Sequence, residues 1–116
     1  MKNLQNNFTT PSQSKRLLEL GVPADSSDFY YDKDEVEIDE ITHPYIFPFN
    51  RKFSNYNDMF YLPCWSVGRL MEICKTCEPK KHYEQLCEEL QYSQNYCLEI
   101  ISHIVAKLPI IDFSKL

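Results

Sequence analysis

Four residues in the second half of the chain have the types and spacing of a small zinc site. Cys74-x2-Cys77-x4-His82-x4-Cys87 is the spacing of a zinc knuckle, a module that binds nucleic acid. Three thiolates and one imidazole are also a donor set that suits tetrahedral zinc. The spacing alone therefore indicates a zinc-knuckle-like, nucleic-acid-binding protein.

The residues around these cysteines favour a different explanation. A knuckle folds as tight turns and has glycine after the second cysteine and before the histidine, where this chain has Glu78 and Lys81. Cys74 and Cys87 also keep the i, i+3, i+4, i+7 spacing of neighbouring apolar residues, which is typical of a buried helix face. We therefore predict helix-face cysteines and no metal or other cofactor, with the zinc knuckle as the alternative.

The chain lacks a recognisable catalytic motif. Ser66-Val67-Gly68 resembles part of a nucleophile elbow, but Cys64 stands where the first glycine is needed. Two glycines in 116 residues exclude glycine-rich phosphate loops. The three histidines are scattered along the chain, at His43, His82 and His103. We predict no catalytic residue; a small hydrolase or transferase would need a histidine beside a cysteine in an apolar pocket.

Acidic residues are concentrated in one segment. Residues 24–40 contain eight acids and one base, Lys33, whereas the whole chain has a net charge of −5. Nonspecific binding to nucleic acid needs a basic stripe, and none is visible. A basic partner protein suits this segment better. The alternative is a solvated, charged loop.

Three aromatic residues lie among these acids. Tyrosine and phenylalanine are common at protein interfaces, where they supply contact area. Sheet packing is the alternative role. The predicted partner-binding residues are Phe29, Tyr30, Tyr31, Asp32, Asp34, Glu35 and Glu37.

Cysteine usage and hydropathy indicate a compartment. The chain has five cysteines, an N-terminus without the apolar core of a signal peptide, and no apolar run of the ~18 residues that a membrane span needs. An odd number of cysteines without an export signal favours free thiols in a reducing cytoplasm.

Two helix starts are well marked. Thr10 is a good N-cap, Pro11 suits the first helical position, and Gln13 completes a capping box, so we predict a helix over residues 11–20 that stops at Gly21. Ser66 is the second N-cap, with Trp65 and Leu70 as a hydrophobic staple.

The apolar spacing continues after this second start. It predicts buried residues at Val67, Leu70, Met71 and Cys74, and Pro79 interrupts the pattern. It returns from His82 as Tyr83, Leu86, Cys87 and Leu90, and again as Cys97, Leu98, Ile101, Ile104, Val105 and Leu108. We predict that these last two runs form two helices, or one long helix that the polar residues 93–96 weaken in the middle.

Residues 28–50 have the pattern of extended chain. Val36 and Ile38 alternate with acids, which predicts a half-exposed strand, and Asp32-Lys33-Asp34 before them suits a hairpin turn. Residues 45–49 are apolar, but Pro44 precedes them and Pro48 is one of them. Because proline cannot donate a hydrogen bond to a neighbouring strand, we predict an edge strand or an extended loop.

Together these patterns predict one α+β domain over residues 1–116. It would contain a small two- or three-stranded antiparallel sheet packed with three or four helices, and residues 1–8 would be frayed.

Two stretches of the sequence resemble a family. Residues 10–31 read TPSQSKRLLELGVPADSSDFYY, and residues 63–73 read PCWSVGRLMEI. Both are similar to motifs of short uncharacterised proteins of gut Bacteroides-type bacteria, their prophages and mobile elements. The resemblance implies a small cytoplasmic α+β protein, phage- or mobile-element-encoded, without an assigned activity. It also implies a strand pair and one helix after Cys74, where the periodicity predicts helices.

Overall fold

The computed structural model describes residues 7–38, 44–46 and 61–116. Five α-helices and three β-strands occur in these ranges, together with 3-10 turns at Ala24–Ser26 and Phe113–Lys115. The helices are α1 (Pro11–Glu19), α2 (Lys33–Ile38), α3 (Val67–Cys77), α4 (Lys80–Leu90) and α5 (Tyr96–Lys107). The strands are β1 (Phe29–Asp32), β2 (Tyr45–Ile46) and β3 (Tyr61–Cys64).

The first helix begins and ends where its sequence signals predict. The Thr10 side chain accepts a hydrogen bond from the Gln13 N–H at 3.2 Å, and the Gln13 side chain accepts one from the Thr10 N–H at 2.9 Å. This reciprocal pair satisfies two N–H groups that a helix start leaves without partners. Gly21 follows with a φ of +99°, in the left-handed region that favours glycine at a helix end.

The sheet is antiparallel and has β1 in the centre, between β2 and β3. Tyr30 pairs with Tyr45 on one side and with Pro63 on the other. Pro63 lies in an edge strand, the position in a sheet that tolerates a residue without an N–H. The predicted α+β fold with a small antiparallel sheet is confirmed, and Tyr45–Ile46 is an edge strand; residues 47–49 lie outside the described ranges.

The strand predicted around Val36 and Ile38 is wrong, because Lys33–Ile38 is helical. No hairpin turn forms before it: the Asp32 side chain accepts a hydrogen bond from the Asp34 N–H at 2.9 Å and so satisfies a donor at the helix start. Asp34 and Glu35 then lie in the first turn, where negative charge is favourable. This extra helix brings the number to five in the described ranges, instead of three or four.

Three consecutive helices form most of the second half. Ser66 caps α3, since its Oγ accepts from the Arg69 N–H at 3.1 Å, and α3 ends just before Pro79. Residues 91–95 separate α4 from α5, and Asn95 caps α5 by accepting from the Leu98 N–H at 3.1 Å. The two-helix alternative is therefore the observed one. Residues 74–116 contain no strand, contrary to what the family resemblance implies.

The buried face of α5 differs in part from the predicted one. Ile100 and His103 are buried, whereas Leu98 and Val105, which were expected to be buried, are 54% and 42% exposed. Leu108, also expected inside, is exposed at the C-terminal end. The helix is apolar on almost every side, so spacing alone does not determine which side faces the core.

The main core lies between the helices. It contains Trp65 and Leu70, the predicted hydrophobic staple, and both are fully buried. The other buried members come from α1, the turn after it, α3, α4, α5 and the C-terminal segment: Leu17, Val22, Ile73, Cys74, Cys77, Leu86, Cys97, Ile100, Ile101, Ile104 and Ile111. A smaller cluster of Tyr31, Leu62 and Cys64 lies on the inner face of the sheet.

The start of the described chain is joined to the segment between β3 and α3. The Thr9 N–H donates to the Trp65 carbonyl at 2.9 Å, and the Val67 N–H donates to the Asn7 carbonyl at 3.0 Å. Phe8, at the end of the segment that we expected to fray, forms an isolated antiparallel bridge with Ser66.

Candidate functional site

Strand β1 directs its side chains alternately to the two faces of the sheet. Tyr31 is 4% exposed, and its hydroxyl donates to the Thr9 carbonyl at 2.8 Å. Phe29 lies on the same face, and its ring packs edge-on against Phe8 with centroids 4.7 Å apart. Because side chains alternate along a strand, Tyr30 and Asp32 point to the opposite face.

Three tyrosines are in contact on this opposite face. The Tyr30 ring stacks on Tyr45 with centroids 5.5 Å apart and an interplanar angle of 29°. It meets Tyr61 edge-on, with centroids 5.2 Å apart and an angle of 83°. Both geometries are favourable for aromatic pairs. The pairing register explains the stack, because Tyr30 and Tyr45 are directly opposite each other on β1 and β2.

One carboxylate contacts these rings, and two more lie close to it in the chain. Both Glu35 oxygens accept from the Tyr45 hydroxyl, at 2.7 and 2.8 Å, while Asp32 lies at the start of α2 and Asp34 is exposed. The hydrogen bond to Glu35, with smaller contributions from desolvation and from the negative charges of Glu35 and Asp32, raises the pKa of Tyr45. The phenol is therefore a protonated donor at neutral pH. We define the acidic-aromatic surface as Tyr30, Tyr45, Tyr61, Asp32, Asp34 and Glu35.

This surface differs from the predicted set of partner-binding residues. Tyr31 belongs to the core, because burial and its hydrogen bond to Thr9 hold it inside, and Phe29 is half-buried against Phe8. The side chain of Glu37 lies outside what the structure describes. Tyr45 and Tyr61 were not in the predicted set: they are distant in sequence, and only strand pairing brings them to Tyr30.

The cysteines of the knuckle spacing lie on two helices. Cys74 and Cys77 are on α3, and both are buried in the main core. Cys87 is half-buried on α4, and His82 is in the first turn of that helix, with its Nδ1 buried and without a hydrogen-bond partner. The predicted helix-face positions of these cysteines are confirmed. In residues 7–38, 44–46 and 61–116, no three His, Cys, Asp or Glu side chains are grouped so that they could hold a metal ion.

Burial makes several thiols poor nucleophiles. Desolvation raises the pKa of Cys64 and of Cys97 to about 12, and it also raises the pKa of Cys74 and Cys77. The thiolate, and not the thiol, attacks electrophiles and binds metals. These four cysteines are thus protonated at neutral pH and fill space in the interior.

A buried acid–base pair was not predicted from the sequence. Nε2 of His103, on α5, lies 2.7 and 2.9 Å from the two carboxylate oxygens of Glu78, the residue that directly follows α3. The two side chains are 2% and 0% exposed. The pair thus joins the C-terminal end of α3 to α5 within the interior. Its enclosure indicates a structural role rather than contact with a substrate.

Polar side chains also connect the sheet to α3. The indole N–H of Trp65 donates to Ser26 Oγ at 3.0 Å, and Thr9 Oγ1 accepts from the Trp65 backbone N–H at 3.0 Å. Asp28 accepts from the backbone N–H of Ser66 at 2.9 Å and from its hydroxyl at 2.5 Å. These bonds fix the ends of β1 and β3 relative to α3, and so they support the strands that carry the tyrosines.

No family model, curated protein or solved structure matches this chain. Among the helices of the described ranges, none has the length and apolar character needed to cross a membrane. The geometry of the side chains therefore has to carry the functional interpretation.

Proposed function

We propose that this chain is a non-enzymatic protein-binding module of the cytoplasm, and that its acidic-aromatic surface binds a basic segment of a partner protein. The partner would be a host protein or one encoded together with this chain. The observation that carries the proposal is the contact of three tyrosine rings on one sheet face, with Glu35 hydrogen-bonded to Tyr45. Asp32 and Asp34 lie close to Glu35 in the chain.

Charge and ring chemistry both favour a cationic partner. Eight acids lie in residues 24–40 against the single base Lys33, so the region attracts positive charge. Tyrosine faces attract cations through their negative π-density, and this adds to the attraction of the carboxylates. The rings also supply apolar contact area, which a charged loop alone lacks.

The remaining chemistry is consistent with a binding role. Cys64, Cys74 and Cys97 have raised pKa values and so are not activated nucleophiles at neutral pH. All five cysteines are free thiols, which supports a reducing compartment.

The test is a titration of a labelled peptide of alternating lysine, arginine and glycine, with binding followed by fluorescence anisotropy at low salt. A charge-neutralised variant keeps each hydrogen-bond acceptor while it removes the negative charge. It combines Asp32→Asn, Asp34→Asn, Glu35→Gln and Glu37→Gln. A matched control removes four exposed carboxylates from other elements: Glu19→Gln, Glu72→Gln, Glu84→Gln and Glu88→Gln.

We expect the charge-neutralised variant to bind the peptide about tenfold more weakly than the natural chain, because complementary charge is lost at the contact. The control variant should bind within about twofold of the natural chain, since its total charge changes equally but elsewhere. Equal losses in both variants, or no binding by the natural chain, would overturn the proposal.

A further inference from the structure

The Tyr45 ring is held in place on one side. One side of the ring packs against Tyr30, and 44% of the residue remains exposed. The hydroxyl is fixed by Glu35, with both carboxylate oxygens within 2.8 Å. Stacking and hydrogen bonding together orient the ring before any partner arrives, which lowers the entropy cost of binding on it.

The hydrogen bond also places a carboxylate at the rim of the exposed ring. An ionised carboxylate has about four lone-pair positions, so a carboxylate can accept from a phenol and from a guanidinium at the same time. Asp32 is near enough for its charge to act on Tyr45, and it lies on the same sheet face. A flat aromatic face thus adjoins two negative groups.

This arrangement fits the guanidinium of arginine better than the ammonium of lysine. A guanidinium is planar and weakly hydrated, so it can lie over a ring while its edge donates to a carboxylate. An ammonium is a compact, strongly hydrated charge that gains the carboxylate but little of the ring face. The geometry discriminates by shape and hydration, since both cations carry the same charge.

We infer that the acidic-aromatic surface selects arginine over lysine, with an arginine side chain stacked on the exposed face of Tyr45 and hydrogen-bonded to Glu35. This inference rests on the proposed function and names the side chain that the basic partner segment must present. The occupant is an arginine-containing peptide segment, and it is favoured by charge complementarity with residues 24–40.

The experiment compares two peptides of equal length and charge, one with three arginines and one with three lysines, each spaced by glycine and serine. Each is titrated into the natural chain and into Tyr45→Leu, which removes the ring without changing the charge. Tyr92→Leu is the control, because Tyr92 is 83% exposed in the connection between α4 and α5. Circular dichroism confirms that each variant is folded.

We expect the arginine peptide to bind the natural chain about fivefold more tightly than the lysine peptide. Tyr45→Leu should reduce its affinity to that of the lysine peptide, and Tyr92→Leu should preserve the difference. In the natural chain, proton NMR should show cross-peaks between the arginine side chain and the Tyr45 ring, a measurement that does not depend on a variant.

The outcomes separate this inference from the proposed function. Equal affinities for the two peptides that still fall in the charge-neutralised variant would overturn arginine selection and leave the basic partner in place. An arginine preference that survives Tyr45→Leu would also overturn it. Failure of both peptides to bind would overturn both proposals.

Discussion

At the scale of single residues, the buried pair of Glu78 and His103 places two polar side chains in the interior. Each side chain loses its water on folding, and each finds its hydrogen-bond partner in the other, at 2.7 Å. A buried polar group without a partner costs free energy, so the two residues depend on each other. The sequence does not reveal the pair, because the residues are 25 positions apart and lie on different elements.

Removing one member of this pair should destabilise the fold. For Glu78→Ala we expect a loss of about 3 kcal/mol in the free energy of unfolding, measured by urea denaturation, because His103 is left buried without its acceptor. The exposed residue Glu88 provides the control, and Glu88→Ala should change stability by less than about 0.5 kcal/mol.

A double variant distinguishes the loss of the hydrogen-bond partner from the loss of the polar groups themselves. Glu78→Leu combined with His103→Leu removes both polar groups, so it should be more stable than Glu78→Ala. If the double variant is the less stable of the two, the interpretation of mutual dependence is wrong.

At the scale of elements, the sequence predicts features that depend on neighbouring residues, such as helix caps. It does not predict contacts between residues that are far apart in the chain. The caps at Thr10, Ser66 and Asn95 each bond to a residue three positions on, so a short window of sequence contains the whole interaction. The residues around Val36 and Ile38 were predicted as a strand, because two apolar positions in so short a segment fit a period of two as well as a helix turn. At the start of the observed helix, the Asp34 N–H donates a hydrogen bond to the Asp32 side chain.

Ser66 joins two elements, and its replacement tests that junction. Its hydroxyl accepts from the Arg69 N–H and donates to Asp28, so Ser66→Ala removes the α3 cap and one contact to the residue before β1. We expect a loss of about 1–2 kcal/mol, measured by thermal and urea unfolding.

Ser102→Ala is the matched control, because Ser102 is exposed in the middle of α5, where alanine is a good helix former. A loss for Ser66→Ala no larger than that of the control would show that the cap contributes nothing.

At the scale of the whole molecule, burial of thiols in both core clusters links stability to alkaline pH. Burial raises the pKa of Cys64 and Cys97 from 9.0 to about 12, so the folded chain keeps protons that the unfolded chain releases above pH 9. The contribution of these two thiols to the stability of the folded chain is fully present below pH 9. It is lost as the pH rises from 9 to 12.

We therefore expect the free energy of unfolding to fall above pH 9 under reducing conditions. The expected slope is about 1.4 kcal/mol per pH unit for each thiol that is ionised in the unfolded chain and protonated in the folded chain. Urea titrations from pH 7 to 11 measure this slope. Cys97→Ala should make the slope shallower by about one proton, because one titrating group is gone.

The control is Ile100→Val, which lowers stability in the same core without removing a titrating group. If Cys97→Ala and Ile100→Val have the same slope as the natural chain, the buried thiols are not the cause of the pH dependence.

The acidic-aromatic surface is also a property of the whole molecule, and this limits what the sequence predicts about it. The acids and Tyr30 were recognised because they are close together in the chain. Tyr45 and Tyr61 join them only through the register of β1 with β2 and β3, which depends on long-range pairing. The same pairing turns Tyr31 inward, so adjacent tyrosines have opposite environments.

The bonds between Thr9 and Trp65 have a consequence for synthesis on the ribosome. The nascent chain emerges from its first residue, so α1 and β1 leave the exit tunnel long before the segment that closes the inner sheet face. Until residues 61–67 follow, the Tyr31 side chain lacks its core neighbours Leu62 and Cys64, and the apolar side of α1 lacks Trp65. The native fold therefore forms only after residues 61–67, and then α5, have left the tunnel.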